Sequence, residues 1–419
     1  MPLKKNINML ILVVLEVLLL YAPEFVFLPY YTWALAALGL IIVILKSRFA
    51  RQYGILSNTT YAVFAMLFFN IVWSFLVTGL NGTSDYSYIT FLVGTLLTVC
   101  RVFLLVFFVN KSITDCETAT NIYLESLAYA GAIYVTFTLI FIIAPQFKQF
   151  WLTNVVHSIE RDYFAYQFRY SLNGFAAFAS STISSLIVII SSYLLVKNAI
   201  QGKWKKYFFL YIINIIGCFF YGRICIFAIL LSLIYILGKL GNKPQIFKIA
   251  FTALIIIIAL LTLVDYLSTV NESFQYWRDW SFAIIDQLFS NNGITDYSVT
   301  HMKEDMFFMP EIKTLLIGDG KYTLESGSYY MHTDVGIMRG VLFFGILGNF
   351  VNYLMVYYVA KKTCGKTDDK KLITMVLFVC VMVIILELKG EAYQRGLQIL
   401  LPIFYTSSYD LRRTIIVKD

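Results

Sequence analysis

Residues 207–238 read YFFLYIINIIGCFFYGRICIFAILLSLIYILG. Taken whole, the run is one overlong apolar helix; divided, it is two short spans, 207–221 and 224–238, separated by Gly222-Arg223 alone. The choice inverts the orientation of everything that follows, and charge placement decides it, because basic residues concentrate in the inner loops of membrane proteins. With a break at Gly222, the clusters Lys361, Lys362, Lys366, Lys370, Lys371 and Arg412, Arg413, Lys418 share a side with Lys4, Lys5, with Lys46, Arg48, Arg51 and with Lys203, Lys205, Lys206. About two-thirds of the 33 basic residues then lie inside. Merging the run moves both carboxy-terminal clusters outside, so the break is kept.

Composition puts the chain in the same class. Of 419 residues, 59% are hydrophobic and 14% charged, with a mean hydropathy of +0.74; soluble domains carry about 25% charged residues. A crossing needs about 20 apolar residues, and a backbone in lipid satisfies its polar groups as helix, so an all-α polytopic protein with about 12 transmembrane helices is expected. Apolar runs place spans at 7–22, 27–45, 60–78, 88–109, 122–144, 172–196, 207–221, 224–238, 246–264, 335–360, 372–388 and 396–410, with both termini inside. No cleavable signal is expected at Asn6–Ala22, which Glu16 interrupts. The net charge of +8 follows topology, so no nucleic-acid partner is expected. Cys100, Cys218, Cys225 and Cys380 fall in spans and none of the six cysteines in an outer loop, which argues against a disulfide framework or metal cluster.

Three segments result: 1–264 with nine spans and an outer loop at 145–170, a polar excursion at 265–334, and 335–419 with three spans. No internal repeat of the kind many transporters carry is visible. Within the long loop, Phe274, Trp277, Ser281, Ile284 and Leu288 recur at three- and four-residue steps, which predicts an amphipathic surface helix. All three histidines, His157, His301 and His332, fall on the outer side.

Some charges have no topological use. Arg169, Arg223, Arg339 and Arg395 sit where spans meet the outer surface, and Arg278 lies on the surface helix. A lone arginine at a helix end often snorkels to headgroups. Several at one depth on different helices suit an oligophosphate, because the planar guanidinium donates paired hydrogen bonds and stays charged where water is scarce. His332 and Asp334 open the span at 335: a histidine with an ordinary pKa of about 6.5 beside arginine cations stays neutral and accepts a proton, and Asp334 either orients it, is itself the base, or caps the helix. Gly318-Asp319-Gly320 is a turn and a weak candidate for an anion nest. Arg101 and Glu16, alone inside spans, are expected to pair.

Six short stretches, in order, resemble the O-antigen polymerase (Wzy) and O-antigen ligase family of bacterial polysaccharide glycosyltransferases. They are Arg169-Tyr170-Ser171-Leu172-Asn173-Gly174, Tyr221-Gly222-Arg223, Arg278-Asp279-Trp280, Gly318-Asp319-Gly320, His332-Thr333-Asp334-Val335-Gly336 and Gly345-Ile346-Leu347-Gly348. The chain departs from the pattern around Arg223, where a serine and second glycine are missing, and at Thr333, where the ligase pattern carries asparagine. The resemblance implies a GT-C-like, metal-independent enzyme of the bacterial inner membrane that needs no cofactor. Its donor and acceptor are undecaprenyl-pyrophosphate-linked glycans, joined into O-antigen, capsule or exopolysaccharide, and a chain-length regulator is a possible protein partner. It assigns catalysis to His332 and Asp334 and pyrophosphate binding to Arg223, Arg278, Arg169, Arg339 and Arg395. The alternatives are the ligase and a flippase for lipid-linked oligosaccharides.

Overall fold

The computed structural model describes residues 2–110, 116–156, 168–241, 243–289 and 300–407. In chain order its elements are α1 (Pro2–Leu20), α2 (Tyr31–Leu45), α3 (Ser47–Gln52), α4 (Asn58–Leu80), α5 (Ser87–Asn110), α6 (Cys116–Ile143), α7 (Pro145–Thr153), the hairpin strands β1 (Tyr170–Ser171) and β2 (Gly174–Phe175), α8 (Phe178–Ile200), α9 (Trp204–Tyr221) and α10 (Ile226–Leu240). They continue with α11 (Gln245–Val270), α12 (Glu272–Phe289), α13 (Ile312–Leu316), α14 (Gly336–Cys364), α15 (Lys370–Glu387) and α16 (Tyr393–Thr406). Among the described residues, seven helices are long and apolar enough to cross a membrane: α4, α5, α6, α8, α10 with its leading turn, α11 and α14. Twelve were expected. At 15 and 14 residues, α2 and α16 reach only about 22 Å at 1.5 Å per residue, short of a hydrocarbon core of about 30 Å.

The chain folds as two compact units, one of Met1–Pro29 with Leu124–Asp296 and the other of Tyr30–Tyr123 with Tyr297–Asp419. In the first, α8 is the central element, packed by α9 and α10 and almost wholly buried, whereas α11 is almost wholly exposed. The polar groups of the interior are paired. Asn214, midway along α9, donates from its side-chain amide to Ala128 O of α6 at 3.1 Å and to Ser191 Oγ of α8 at 3.1 Å. Such interhelical bonds hold helices together where apolar contact gains little over lipid.

The break in the quoted run is real. α9 ends at Tyr221, Gly222 is extended at φ 177°, and a 3-10 turn over Arg223–Cys225 leads into α10. Bare backbone suits Gly222, since a Cβ there would meet Ser181 Oγ at 2.8 Å. The surface helix also forms, as α12. Asn271 Oδ1 accepts from Phe274 N at 3.0 Å to cap it, and Phe274, Trp277 and Ser281 are buried on one side. The excursion begins later than position 265, because Asp265 lies within α11. Before α8 there is a β-hairpin with Tyr170 opposite Phe175, so the span expected from 172 begins at Phe178.

The second unit is built on α4, α5, α14 and α16. Asn70 of α4 donates to Gly348 O at 3.1 Å and to Asn352 Oδ1 at 2.8 Å, and Asn352 donates to Tyr88 OH at 3.0 Å. α14 is kinked at Phe344–Gly345, which frees carbonyls that must find donors elsewhere. They find them: Leu342 O accepts from Asp319 N (2.7 Å), Phe343 O from Gly320 N (2.9 Å) and Phe344 O from Trp73 Nε1 (2.9 Å). In the Gly318-Asp319-Gly320 turn the Asp319 and Gly320 amides are therefore given to the kink and that of Gly318 to Thr314 O (2.8 Å), so it is no anion nest. His157 and the basic tail at Arg412, Arg413 and Lys418 lie outside the described residues.

Candidate functional site

The five arginines and the His332–Asp334 pair divide between the units, three and four. In the first unit, Arg169 precedes β1 and reaches the end of α9: its Nη2 donates to Tyr221 O at 2.6 Å and to Ala176 O at 3.1 Å. Tyr221 O is a carbonyl released by the helix break, and Ser181 Oγ donates to it as well, at 3.0 Å. The hairpin is held by Ser171 Oγ donating to Tyr134 O (2.6 Å), by Tyr134 OH donating to Asn173 Oδ1 (2.5 Å) and by Trp151 Nε1 donating to Leu172 O (2.9 Å). These bonds fix where Arg169 points.

Arg169 and Arg223 meet over one aromatic ring. The guanidinium carbon of Arg169 is 4.9 Å from the Trp280 ring centre and that of Arg223 is 5.5 Å away. Arg169 also lies 5.0 Å from Phe175. Arg223 lines a small recess together with Cys218, Phe219, Gly222 and Ser281. An indole face stabilises a cation by about 0.5–2 kcal/mol, so Trp280 offsets the repulsion of two neighbouring positive charges. Arg278 stands apart from this arrangement in character, paired at half exposure with Asp279 (3.2 Å) and Asp265 (3.6 Å).

In the second unit, Arg339 is buried one turn into α14 and caged by rings, 4.3 Å from Tyr322 and 3.6 Å from Tyr329. Its Nη2 donates to Tyr322 OH, which in turn donates to Glu391 Oε2, and the guanidinium lies 3.7 Å from that carboxylate. Glu391 sits in the five-residue connection between α15 and α16. Burial pushes its carboxyl up to about 7, against the opposing pull of Arg339 and a hydrogen bond with Tyr88. At the other end of the connection, Glu387 is fully used: Oε1 accepts from Ala392 N (2.7 Å) and Tyr393 N (2.8 Å), Oε2 from Tyr353 OH (3.0 Å).

His332 is exposed, with a left-handed φ of 54° in the turn before α14. Asp334 pairs with Lys389 at 3.7 Å. The two are not hydrogen-bonded to each other among the described residues. Asp334 does not cap α14 either: the cap position is Val335, and Thr333 Oγ1 accepts its amide at 3.3 Å. Arg395, in the first turn of α16, donates to Gln398 Oε1 at 2.8 Å. His301 pairs with Asp305 at 2.5 Å. In the first unit Glu16 lies beside Ser126, and in the second Arg101 donates to Thr98 Oγ1 (2.8 Å) and Leu97 O (3.3 Å).

Trp280, Tyr322, Tyr329 and Glu391 were not singled out as functional from sequence. Trp280 was visible only as part of a short stretch. The signal for Glu391 was there: two glutamates four residues apart, at the end of an apolar run.

The fold defines a predominantly helical protein with several helices of membrane-crossing length. No protein-family model, curated protein or solved structure matches the chain.

Proposed function

We propose that the chain is a polymerase of lipid-linked glycans, acting at the outer face of the bacterial inner membrane with both termini cytoplasmic. It joins undecaprenyl-pyrophosphate-linked repeat units into O-antigen, capsule or exopolysaccharide. The observation that carries this reading is the shared platform of Arg169 and Arg223 on Trp280 beside a recess. Two half-buried guanidiniums over one aromatic face, that of Arg169 also donating to backbone carbonyls, suit pyrophosphate oxygens better than a single carboxylate. Donor and acceptor each bring a pyrophosphate.

In the reaction a hydroxyl of the acceptor sugar attacks the anomeric carbon of the donor. The bond to pyrophosphate breaks, the leaving pyrophosphate keeps the electron pair, and the hydroxyl proton passes to a base. Preorganised arginines stabilise the charge that develops on the leaving group, and His332 or Asp334 at the mouth of α14 accepts the proton. A chain-length regulator is the expected protein partner.

The test is complementation of a strain lacking its polymerase, read as the ladder of glycan lengths. Arg223→Ala and His332→Ala, each shown to be inserted, lose the ladder. A full ladder from both would overturn these site assignments. A strain that keeps its ladder but loses attachment of glycan to lipid A would identify a ligase. Altered translocation of lipid-linked units with unchanged linkages would identify a flippase.

A further inference from the structure

Arg339, in the second unit, is a buried cation that its surroundings satisfy only in part. It is nine-tenths buried, yet among the described residues its guanidinium makes one side-chain hydrogen bond, to Tyr322, and its buried Nε has no partner. A guanidinium carries five N–H donors, and a charge withdrawn from water is normally matched by an anion with good geometry. Glu391 supplies the opposite charge only in part: it stands 3.7 Å off, beyond hydrogen-bonding distance, with the Tyr322 hydroxyl between. Over the guanidinium lies the ring of Tyr329, itself 38% exposed. Tyr329 ends a small hairpin closed by a bridge between Thr323 and Tyr329 and turned at Gly327, whose tip is exposed. The cation is thus buried beneath a single exposed ring on a surface loop.

We propose that Arg339 is a phosphate-binding site in which Glu391 and the Tyr322 hydroxyl hold the place of the ligand, Tyr329 is its cover, and phosphate binding transfers a proton to Glu391. This rests on the polymerase reading only for the identity of the phosphate compound, a lipid pyrophosphate. When phosphate oxygens take the donors of Arg339, Glu391 loses its counter-charge and gains a negative neighbour, and both effects favour its protonated form. The other titratable groups around it are poor alternatives. Glu387 is held by three donors, Tyr88 and Tyr393 are buried phenols, Tyr353 is a partly buried phenol donating to Glu387, and half-exposed Lys389 is paired with Asp334. Ligand binding at this site therefore takes up a proton, and the carboxyl that accepts it becomes more basic as the ligand arrives.

The experiment is calorimetric titration of the full chain in uncharged lipid nanodiscs, with buffers of different ionisation enthalpy. An Arg223→Ala background removes the first unit's contribution. Inorganic pyrophosphate and a polyprenyl pyrophosphate form the two arms: binding of both identifies a general phosphate site, and binding of the polyprenyl compound alone identifies a lipid site. With Glu391 at about 7 in the free protein, uptake is about half a proton per ligand at pH 7 and approaches one at pH 8. Glu391→Gln abolishes the uptake and tightens binding about tenfold by removing the resident competitor, and Arg339→Gln abolishes binding. Tyr329→Ala keeps the uptake and speeds association. Binding without buffer dependence, or E391Q with unchanged affinity and uptake, overturns the proposal. The outcomes are separable from the polymerase reading: proton-coupled binding in a chain that restores no ladder leaves this site standing, and a restored ladder without proton-coupled binding removes it alone.

Discussion

Two glycines hold the Gly318–Gly320 turn against the kink in α14, and their contacts are reciprocal. Gly318 has φ +87°, and a Cβ there would meet Phe343 O at 2.3 Å; Gly345 has φ +73°, and its Cβ would meet Leu316 O at 2.4 Å. Each therefore presses on the backbone immediately beside the other. Alanine at either position incurs about 1–2 kcal/mol of left-handed or equivalent strain. It also separates the two backbones, weakening the bonds from Asp319 N and Gly320 N at about 1 kcal/mol each. About 3 kcal/mol is expected for each single substitution. Because the first substitution already opens the clasp, Gly318→Ala with Gly345→Ala costs about 4 kcal/mol instead of the additive 6. In thermal melts of the detergent-purified chain, each single variant should melt roughly 6–12 °C lower, with the double variant only slightly below them. Gly79→Ala is the control, since it lies in α4 with nothing within 4 Å of the new Cβ, and it should be neutral or stabilising. Additive losses, or single variants as stable as the control, would refute the clasp.

Three further outcomes are expected. Trp280→Leu removes the ring under Arg169 and Arg223 and should weaken pyrophosphate binding by roughly 5–30-fold, at about 0.5–1 kcal/mol per cation–π contact; unchanged affinity by calorimetry would count against the platform. Glu391 has a folded-state value of about 7 against an ordinary 4.5, so the folded state binds the extra proton and stability falls as pH rises from about 4.5 to 7. The loss amounts to about 3 kcal/mol, so melting curves of wild type should drop more steeply across that window than those of Glu391→Gln. Asp334→Asn releases Lys389 from a half-exposed pair and should shift the melting temperature by no more than a degree or two, since such pairs contribute about 0–1 kcal/mol.

The broad architecture was legible because lipid imposes it: long apolar runs can only be helices, and the charge bias located the break at Gly222 without any structural knowledge. The amphipathic α12 was legible for a similar reason, its period matching a helix with one dry face. Less could be read where side chains meet across the chain. Arg169 and Arg223 are 54 positions apart, and nothing in their spacing says that one indole serves both. The Gly318-Asp319-Gly320 turn looked like a possible anion nest because its amides are well placed to donate; the carbonyls that take them appear only when α14 kinks. Arg339 was named as a phosphate ligand, but its cage of Tyr322, Tyr329 and Glu391 brings together segments separated by some sixty residues. The pairing expected of Glu16 and Arg101 rested on charge alone, and spacing gave no hint that Arg101 donates to a hydroxyl and a carbonyl of its own helix.

The near-total burial of α8 has a consequence for biogenesis. Its inward-facing residues include Ser180, Ser181, Ser184, Ser185, Ser191 and Ser192, hydroxyls that favour helix partners but lower the affinity of an isolated segment for hydrocarbon. It is markedly less apolar than α11. α11 is suited to enter the bilayer unaided as it leaves the translocon, whereas α8 depends on neighbours. Its closest, α9 and α10, are synthesised after it, so α8 must be retained at the translocon, or beside α6, until they emerge.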